Sequence, residues 1–312
     1  MACGSQRVAL ASRPGSTTSS AEKGGDQAHA GVAKPDARHE PSTTDRNRID
    51  PPNDADQTRV LFIGNSFTLQ GPVPDLVARF ARESGFFNVT IDFRAVSGQS
   101  LAWHRADTSA AGAPARLREG WDVVVLQDFS TRPTDSLGEP DDFKDDATWF
   151  YERAKEANPA ARVVLFETWA RRAGHPIYDV AFSSPAQMQA QLRRHYTDAA
   201  ERYVPRFATV SPGEAVEVAR VGDAWELQLG RDADLRLHGP DNYHASAAGQ
   251  YLSAAVLFST IFERPAKGLP AINVSSRTAV TLQTTADAVT GQGARLPEQK
   301  PNEPADPSFN AA

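Results

Sequence analysis

Apolar residues along this chain gather into short unbroken runs, and between the runs they recur every three or four positions. The runs "TRVLFIG" (58–64), "WDVVVLQ" (121–127) and "ARVVLFETW" (161–169) predict strands, the second being the clearest buried one, and the alternating "FNVTIDFRAV" (87–96) predicts a fourth. A shorter run, "RFATVSP" (206–212), predicts a fifth. Helical spacing predicts helices at 73–85, within 100–119, and at 142–159, 185–203, 213–220 and 245–262. In the last of these Tyr251, Ala255, Phe258 and Phe262 share one face. Strands that alternate with helices imply an α/β fold whose parallel sheet of about five strands is covered on both faces.

Outside 58–265 the pattern fades. Residues 4–57 are rich in Ser, Thr, Gly, Pro, Asp and Arg and nearly free of large apolar side chains. Such a segment buries too little surface to offset its chain entropy, so a disordered tether is expected. Residues 266–312 are expected to form an extension with one helix, within "SRTAVTLQTTADAVTG", followed by disorder. No apolar run is long enough for a transmembrane helix. The net charge of −6 comes without a basic stripe, which argues against a nucleic-acid partner. The single cysteine, Cys3, excludes an intrachain disulfide. The stretch "MACGSQ" is similar to the end of a bacterial lipoprotein signal, with Cys3 as the lipidated residue and the cell envelope as the location. An ordinary cytoplasmic start with a chance cysteine is the other reading, and membrane attachment is expected through Cys3 or not at all.

Ligands on parallel sheets bind beyond the carboxyl ends of the strands, so the residues just after each strand carry the functional signal. There the chain has Gly64-Asn65-Ser66-Phe67-Thr68, Ser97-Gly98-Gln99-Ser100, Gln127-Asp128-Phe129-Ser130 and Glu167-Thr168-Trp169, with Asp241-Asn242-Tyr243-His244 ahead of the last core helix. A serine hydroxyl needs a base to become a nucleophile, and histidine is suited to that work near neutral pH. A carboxylate can bond the second ring nitrogen and fix its tautomer. An oxyanion formed by attack on an ester needs preorganised N–H donors. The backbone N–H groups of Ser66 and Gly98 and the side-chain amide of Gln127 are the candidates.

These residues resemble the conserved blocks of the SGNH hydrolases, the GDSL-like esterases. "GNSFT" is similar to the first block, "VSGQS" to the second and "DNYHASAAG" to the last, in the family's order and over about 59–265. The resemblance implies a three-layer αβα sandwich, flavodoxin-like, and metal-free hydrolysis of an ester with no cofactor. It casts Ser66 as nucleophile, His244 as base, Asp241 as its orienting carboxylate and Gly98 as oxyanion donor. The third block departs, since the family's usual Gly-x-Asn-Asp is replaced by "LQDFS", with Gln127 in place of the asparagine. Gln127 either donates to the oxyanion or satisfies backbone groups. A divergent branch of the family carries a Leu-Gln-acidic segment here and Glu-Thr-Trp later, which "ETWARRAGHP" (167–176) resembles. Asn65, Trp169 and Glu167 are the candidate substrate-pocket residues, with a half-buried structural aromatic as the alternative for Trp169.

The implied substrate is a small acyl ester, acetyl first, on a carbohydrate. A lipid ester or thioester, a noncatalytic carbohydrate-binding module on the same fold, and a scaffold acting through its tails are the alternatives. The α/β-hydrolase elbow fits less well, because Thr68 stands where Gly-x-Ser-x-Gly needs glycine. His104, His195 and His238 lack metal-ligand spacing. Arg171, Arg172 and His175 read as solvated loop charges, and Asp141, Asp142, Asp145 and Asp146 as acidic residues near a helix start.

Overall fold

The computed structural model describes residues 57–291. The Cys3 reading, the tether up to residue 56 and the tail from residue 292 lie outside the described residues. The elements in chain order are β1 Thr58–Gly64, α1 Ser66–Leu69, α2 Val73–Glu83, β2 Val89–Ala95, α3 Leu101–Ala106, α4 Ala113–Leu117, β3 Val123–Leu126, α5 Pro140–Ala157, β4 Arg162–Phe166, α6 Pro185–Asp198, α7 Val204–Phe207, β5 Glu217–Ala219, α8 Val221–Arg231, α9 Ala247–Phe262 and α10 Ser276–Thr290. A π-helical turn, Ala199–Tyr203, joins α6 to α7.

The five strands are all parallel in the order β2-β1-β3-β4-β5. This is the flavodoxin-like order, and its switch point lies between β1 and β3. Successive strand residues point to opposite faces, and the core divides accordingly. Val60, Phe62, Val125, Val164 and Phe166 face a cluster built with α2, α8, α9 and α10. Leu61, Ile63, Val124, Leu126 and Leu165 face a second cluster built with α3 to α7. The central strands are apolar without interruption because both of their sides are buried. The result is a three-layer αβα sandwich.

Three expectations need correction. Residues 206–212 are not the fifth strand, because the chain there leaves α7 and turns through Ser211 and Gly213, both at positive φ. The fifth strand lies inside the segment 213–220 that was expected to be helical. Tertiary pairing outweighs the helix-forming composition of that segment: Val164, Leu165 and Phe166 of β4 align with Glu217, Val218 and Ala219. Arg162 fixes this edge with two bonds to the Glu217 carboxylate, each 2.7 Å. The expected helix within 100–119 is likewise two short ones, α3 and α4, separated by a turn.

The helix expected in the C-terminal extension is α10, and it packs into the first core cluster through Ala279, Leu282 and Ala286. Gln283 donates to the Leu269 carbonyl at 2.7 Å and to Tyr251 Oη at 2.8 Å. The Asp287 carboxylate accepts the Ala266 and Lys267 N–H groups. Residues 266–290 are therefore joined to α9 rather than trailing from it. Among the described residues no helix is long and apolar enough to cross a membrane.

Leu282→Ala should lower the unfolding free energy by about 2–4 kcal/mol, the usual cost of emptying a buried leucine site. Urea denaturation measures this, and an unchanged midpoint would separate α10 from the folding unit.

Candidate active site

β1 runs inside the sheet between β2 and β3 and ends at Gly64, where two chain segments close tightly. A Cβ at Gly64 would sit 2.4 Å from Thr68 Oγ1 and 2.7 Å from Gln127 Oε1, so only glycine fits. Asn65 then caps α1, accepting the Phe67 N–H at 3.2 Å through its side-chain oxygen. Ser66 becomes the first residue of α1, where a backbone N–H has no intrahelical acceptor.

Gln127 follows β3 and is fully buried. Its Oε1 accepts the Asn65 N–H at 2.9 Å and the Thr68 hydroxyl at 3.0 Å. Its Nε2 donates to Asn65 Oδ1 at 2.9 Å and to the Asp128 carbonyl. The backbone donor at Asn65 fixes which way the amide faces. Both amide protons are engaged, so the structure removes Gln127 from the oxyanion donors and leaves it the alternative role of satisfying local groups. Asn65 is corrected in the same way. It is 2% exposed, and its Nδ2 donates to the carbonyls of Gln99 at 2.9 Å and Asp128 at 3.3 Å, so it braces three loops rather than lining a pocket.

Two further buried groups hold these loops. Asp128 Oδ1 accepts the N–H of Leu101 at 2.8 Å and of Phe129 at 2.7 Å. Burial raises the Asp128 carboxyl to about 6, against the opposing pull of Arg132 and the two N–H donors. His104 is fully buried and donates from Nε2 to the Gly64 carbonyl at 2.7 Å. Burial pushes its imidazole downward and outweighs the opposing pull of the Gly64 carbonyl, which favours the neutral ring. This role of His104 has no sequence signal, because a histidine that serves one backbone carbonyl has no distinctive spacing.

The second half of the site is the loop before α9. Asn242 takes a left-handed backbone with φ of 56°. The loop closes through a Gly239 N–H bond to the His244 carbonyl at 2.7 Å and an antiparallel bridge between His238 and Ala245. Asp241 Oδ1 accepts the N–H of Tyr243 at 3.0 Å and of His244 at 2.9 Å. Its Oδ2 accepts His244 Nδ1–H at 2.7 Å. Burial works against the Asp241 charge, but these hydrogen bonds overcome it and hold the carboxyl at about 2. His244 Nε2 lies 3.0 Å from Ser66 Oγ. Ser66, His244 and Asp241 are thus brought into one hydrogen-bonded line, in the order needed to draw a proton from the serine.

Trp169 joins the two halves. Its ring lies between Phe67 and Trp225, with centroids 4.2 and 4.1 Å away and interplanar angles of 4°. Its Nε1 donates to the Tyr243 carbonyl at 3.1 Å. At 1% exposure it offers no surface to a ligand, which corrects the pocket-wall expectation. Glu167 is corrected too. It is fully buried, with Gln189 Nε2 donating to its Oε1 at 2.6 Å, and burial together with nearby Asp223 raises its carboxyl well above the ordinary range.

Gly98 sits in the turn after β2 at φ of 74°, a left-handed backbone that favours glycine. Asn65 Nδ2 binds the next carbonyl along, that of Gln99, which brings this turn to the loop bearing Ser66. Neither the Ser66 nor the Gly98 N–H has a hydrogen-bond partner among the described residues. A cleft of about 510 Å³ opens at Gly98 and is lined by Gln99, Ser100, Phe129, Arg132 and Leu137. Among the described residues no group of three His, Cys, Asp or Glu is placed to hold a metal ion.

No protein-family model and no curated protein matches the chain. Solved structures do. A candidate SGNH hydrolase from Slackia heliotrinireducens is 26% identical over 66% of this chain and 99% of its own, with a TM-score of 0.53. A DUF4886 family protein from Bacteroides uniformis is 16% identical over 76% of this chain and 96% of its own, with a TM-score of 0.55. The fold is that of an SGNH/GDSL-like hydrolase.

Gln127→Leu should cost about 1–3 kcal/mol, because it leaves the buried Asn65 N–H without its acceptor; chemical denaturation reads the difference. For Asp241 the folded carboxyl lies below its ordinary 3.8, so its stabilising effect is complete above that value and lost as pH falls through about 2. The stability gap between wild type and Asp241→Asn should therefore shrink between pH 4 and pH 2, and a gap that stays constant there would remove the charge from the account.

Proposed function

We propose that the protein is a serine ester hydrolase that removes a small acyl group, acetyl in the simplest case, from a polar alcohol such as a sugar. The observation that carries this reading is the line Ser66 Oγ–His244–Asp241, with steps of 3.0 and 2.7 Å, beside the switch point of the sheet. The fold shared with the Slackia protein, itself described as a candidate SGNH hydrolase, supports it.

In this mechanism His244 Nε2 takes the Ser66 hydroxyl proton as Oγ attacks the acyl carbon. Asp241 keeps the imidazole proton on Nδ1 and stabilises the imidazolium that forms. The Ser66 and Gly98 N–H groups receive the oxyanion. His244 then gives its proton to the departing alkoxide, leaving an acyl-Ser66. Water, deprotonated by His244, attacks that ester, and the proton returns to Ser66 as the acid leaves. With Gln127 engaged elsewhere, this oxyanion site has two backbone donors and no side-chain amide. The cleft beginning at Gly98 has room for a sugar-sized group and polar residues along it, which supports a polar alcohol over a long lipid chain.

Hydrolysis of p-nitrophenyl acetate should exceed that of the octanoate, and Ser66→Ala and His244→Ala should each lower kcat by about 10⁴-fold or more. A fluorophosphonate should label wild type on Ser66. A folded wild type that neither turns over nor labels would sink the hydrolase and favour a binding role.

A further inference from the structure

The segment after β4 contains a charge that does not behave as a solvated one. Arg171 is only 8% exposed. Its Nε and Nη1 are buried without a hydrogen-bond partner, and its Nη2 reaches only Ser130 Oγ, at a long 3.4 Å. Half-buried guanidinium groups elsewhere among the described residues meet carboxylates, as Arg132 meets Asp146 at 2.7 Å and Arg162 meets Glu217. No carboxylate among the described residues pairs with Arg171. Its flat face lies 3.6 Å from the centre of the Tyr243 ring. That contact steadies the cation but satisfies none of its N–H groups.

The neighbours of Arg171 are also donors. Ser130 is 1% exposed and follows β3, and Tyr243 Oη stands 3.3 Å from Ser130 Oγ. Two hydroxyls and a guanidinium edge thus converge through long contacts, and no anion is among them. The cluster sits at the carboxyl ends of β3 and β4, one ring away from the base, since the Tyr243 and His244 rings are 4.1 Å apart.

We propose that Arg171, Ser130 and Tyr243 form a receptor for a carboxylate carried by the ester substrate. The proposal rests on the ester-hydrolase reading and narrows its substrate class to acyl esters with a carboxylate close to the scissile bond. One carboxylate oxygen placed at the convergence accepts from Arg171 Nη2, Ser130 Oγ–H and Tyr243 Oη–H together, and the weak contact between the two hydroxyls gives way. A charged acceptor makes shorter and stronger bonds than the ones it replaces. A neutral ester leaves the cation unanswered.

The test compares phenyl acetate with its 2-, 3- and 4-carboxyl derivatives, which carry the charge on the alcohol side. It also compares p-nitrophenyl acetate with p-nitrophenyl hemisuccinate, which carries it on the acyl side. The readout is the charged-to-neutral ratio of kcat/KM within each protein, so a general loss of rate cancels. At least one charged probe should show a ratio that falls about tenfold or more in Arg171→Met, with partial recovery in Arg171→Lys. Tyr243→Phe, which keeps the ring and loses the hydroxyl, should lower the same ratio and serves if Arg171→Met fails to fold. Ratios that do not change in these variants overturn the receptor while leaving the hydrolase standing. Calorimetry of Ser66→Ala with 3-carboxyphenyl acetate and phenyl acetate separates the two readings. Charge-selective binding that disappears in Ser66→Ala/Arg171→Met, in a protein that hydrolyses no ester, keeps the receptor and removes the hydrolase.

Discussion

The Gln127 amide bridges the ends of β1 and β3, and its orientation is fixed by groups that cannot trade roles. A backbone N–H, that of Asn65, must meet its oxygen, and a backbone carbonyl, that of Asp128, must meet its nitrogen. The reciprocal bond from Gln127 Nε2 to Asn65 Oδ1 then sets Asn65, whose other end holds the turn bearing Gly98. Three loops leaving three strands are thereby set by one buried side chain. Such a network specifies a single arrangement because any partial version leaves polar atoms unsatisfied away from water.

The other side of the site is held by shape. Trp169 stacks on Phe67, the neighbour of Ser66, and binds the carbonyl of Tyr243, the neighbour of His244. The distance between Ser66 and His244 is therefore governed by a rigid ring packed behind both. Buried histidines assist as neutral donors, His104 to the Gly64 carbonyl and His238 to the Ala170 carbonyl at 2.9 Å. Burial lowers both imidazoles, so these supports carry no charge into the site. The charged groups packed around Tyr243 and His244 include the exposed Asp241 and the enclosed Arg171.

The central strands were legible in the sequence because a strand buried on both faces has to be apolar throughout, and such runs have few other uses. The fifth strand was not. It has three residues at the sheet edge, and "EVA" gains its identity from β4 rather than from its own composition. That Ser66, Asp241 and His244 meet beside Gly98 was legible because their chemistry agreed with their places, Ser66 and Gly98 just after strands and Asp241 and His244 just before the last core helix. The roles of Asn65, Gln127, Trp169 and Glu167 were not, since residues beside a site and residues beneath it fall at the same strand ends. Only burial separates them. Arg171 was misread for a related reason: sequence marks a loop arginine as solvated unless something reveals what covers it, and here that is the ring of Tyr243.

Gly64 has a consequence for how relatives of this chain can vary. The space that a side chain would need at position 64 is filled by Thr68 and by the longer reach of Gln127. A shorter asparagine at 127, the residue the SGNH pattern usually has there, would vacate part of that space and withdraw the acceptor from Asn65. Positions 64, 68 and 127 thus form one steric unit, open to joint exchange and closed to stepwise drift. A side chain added beneath Ser66 therefore fits only where positions 68 and 127 are made smaller with it.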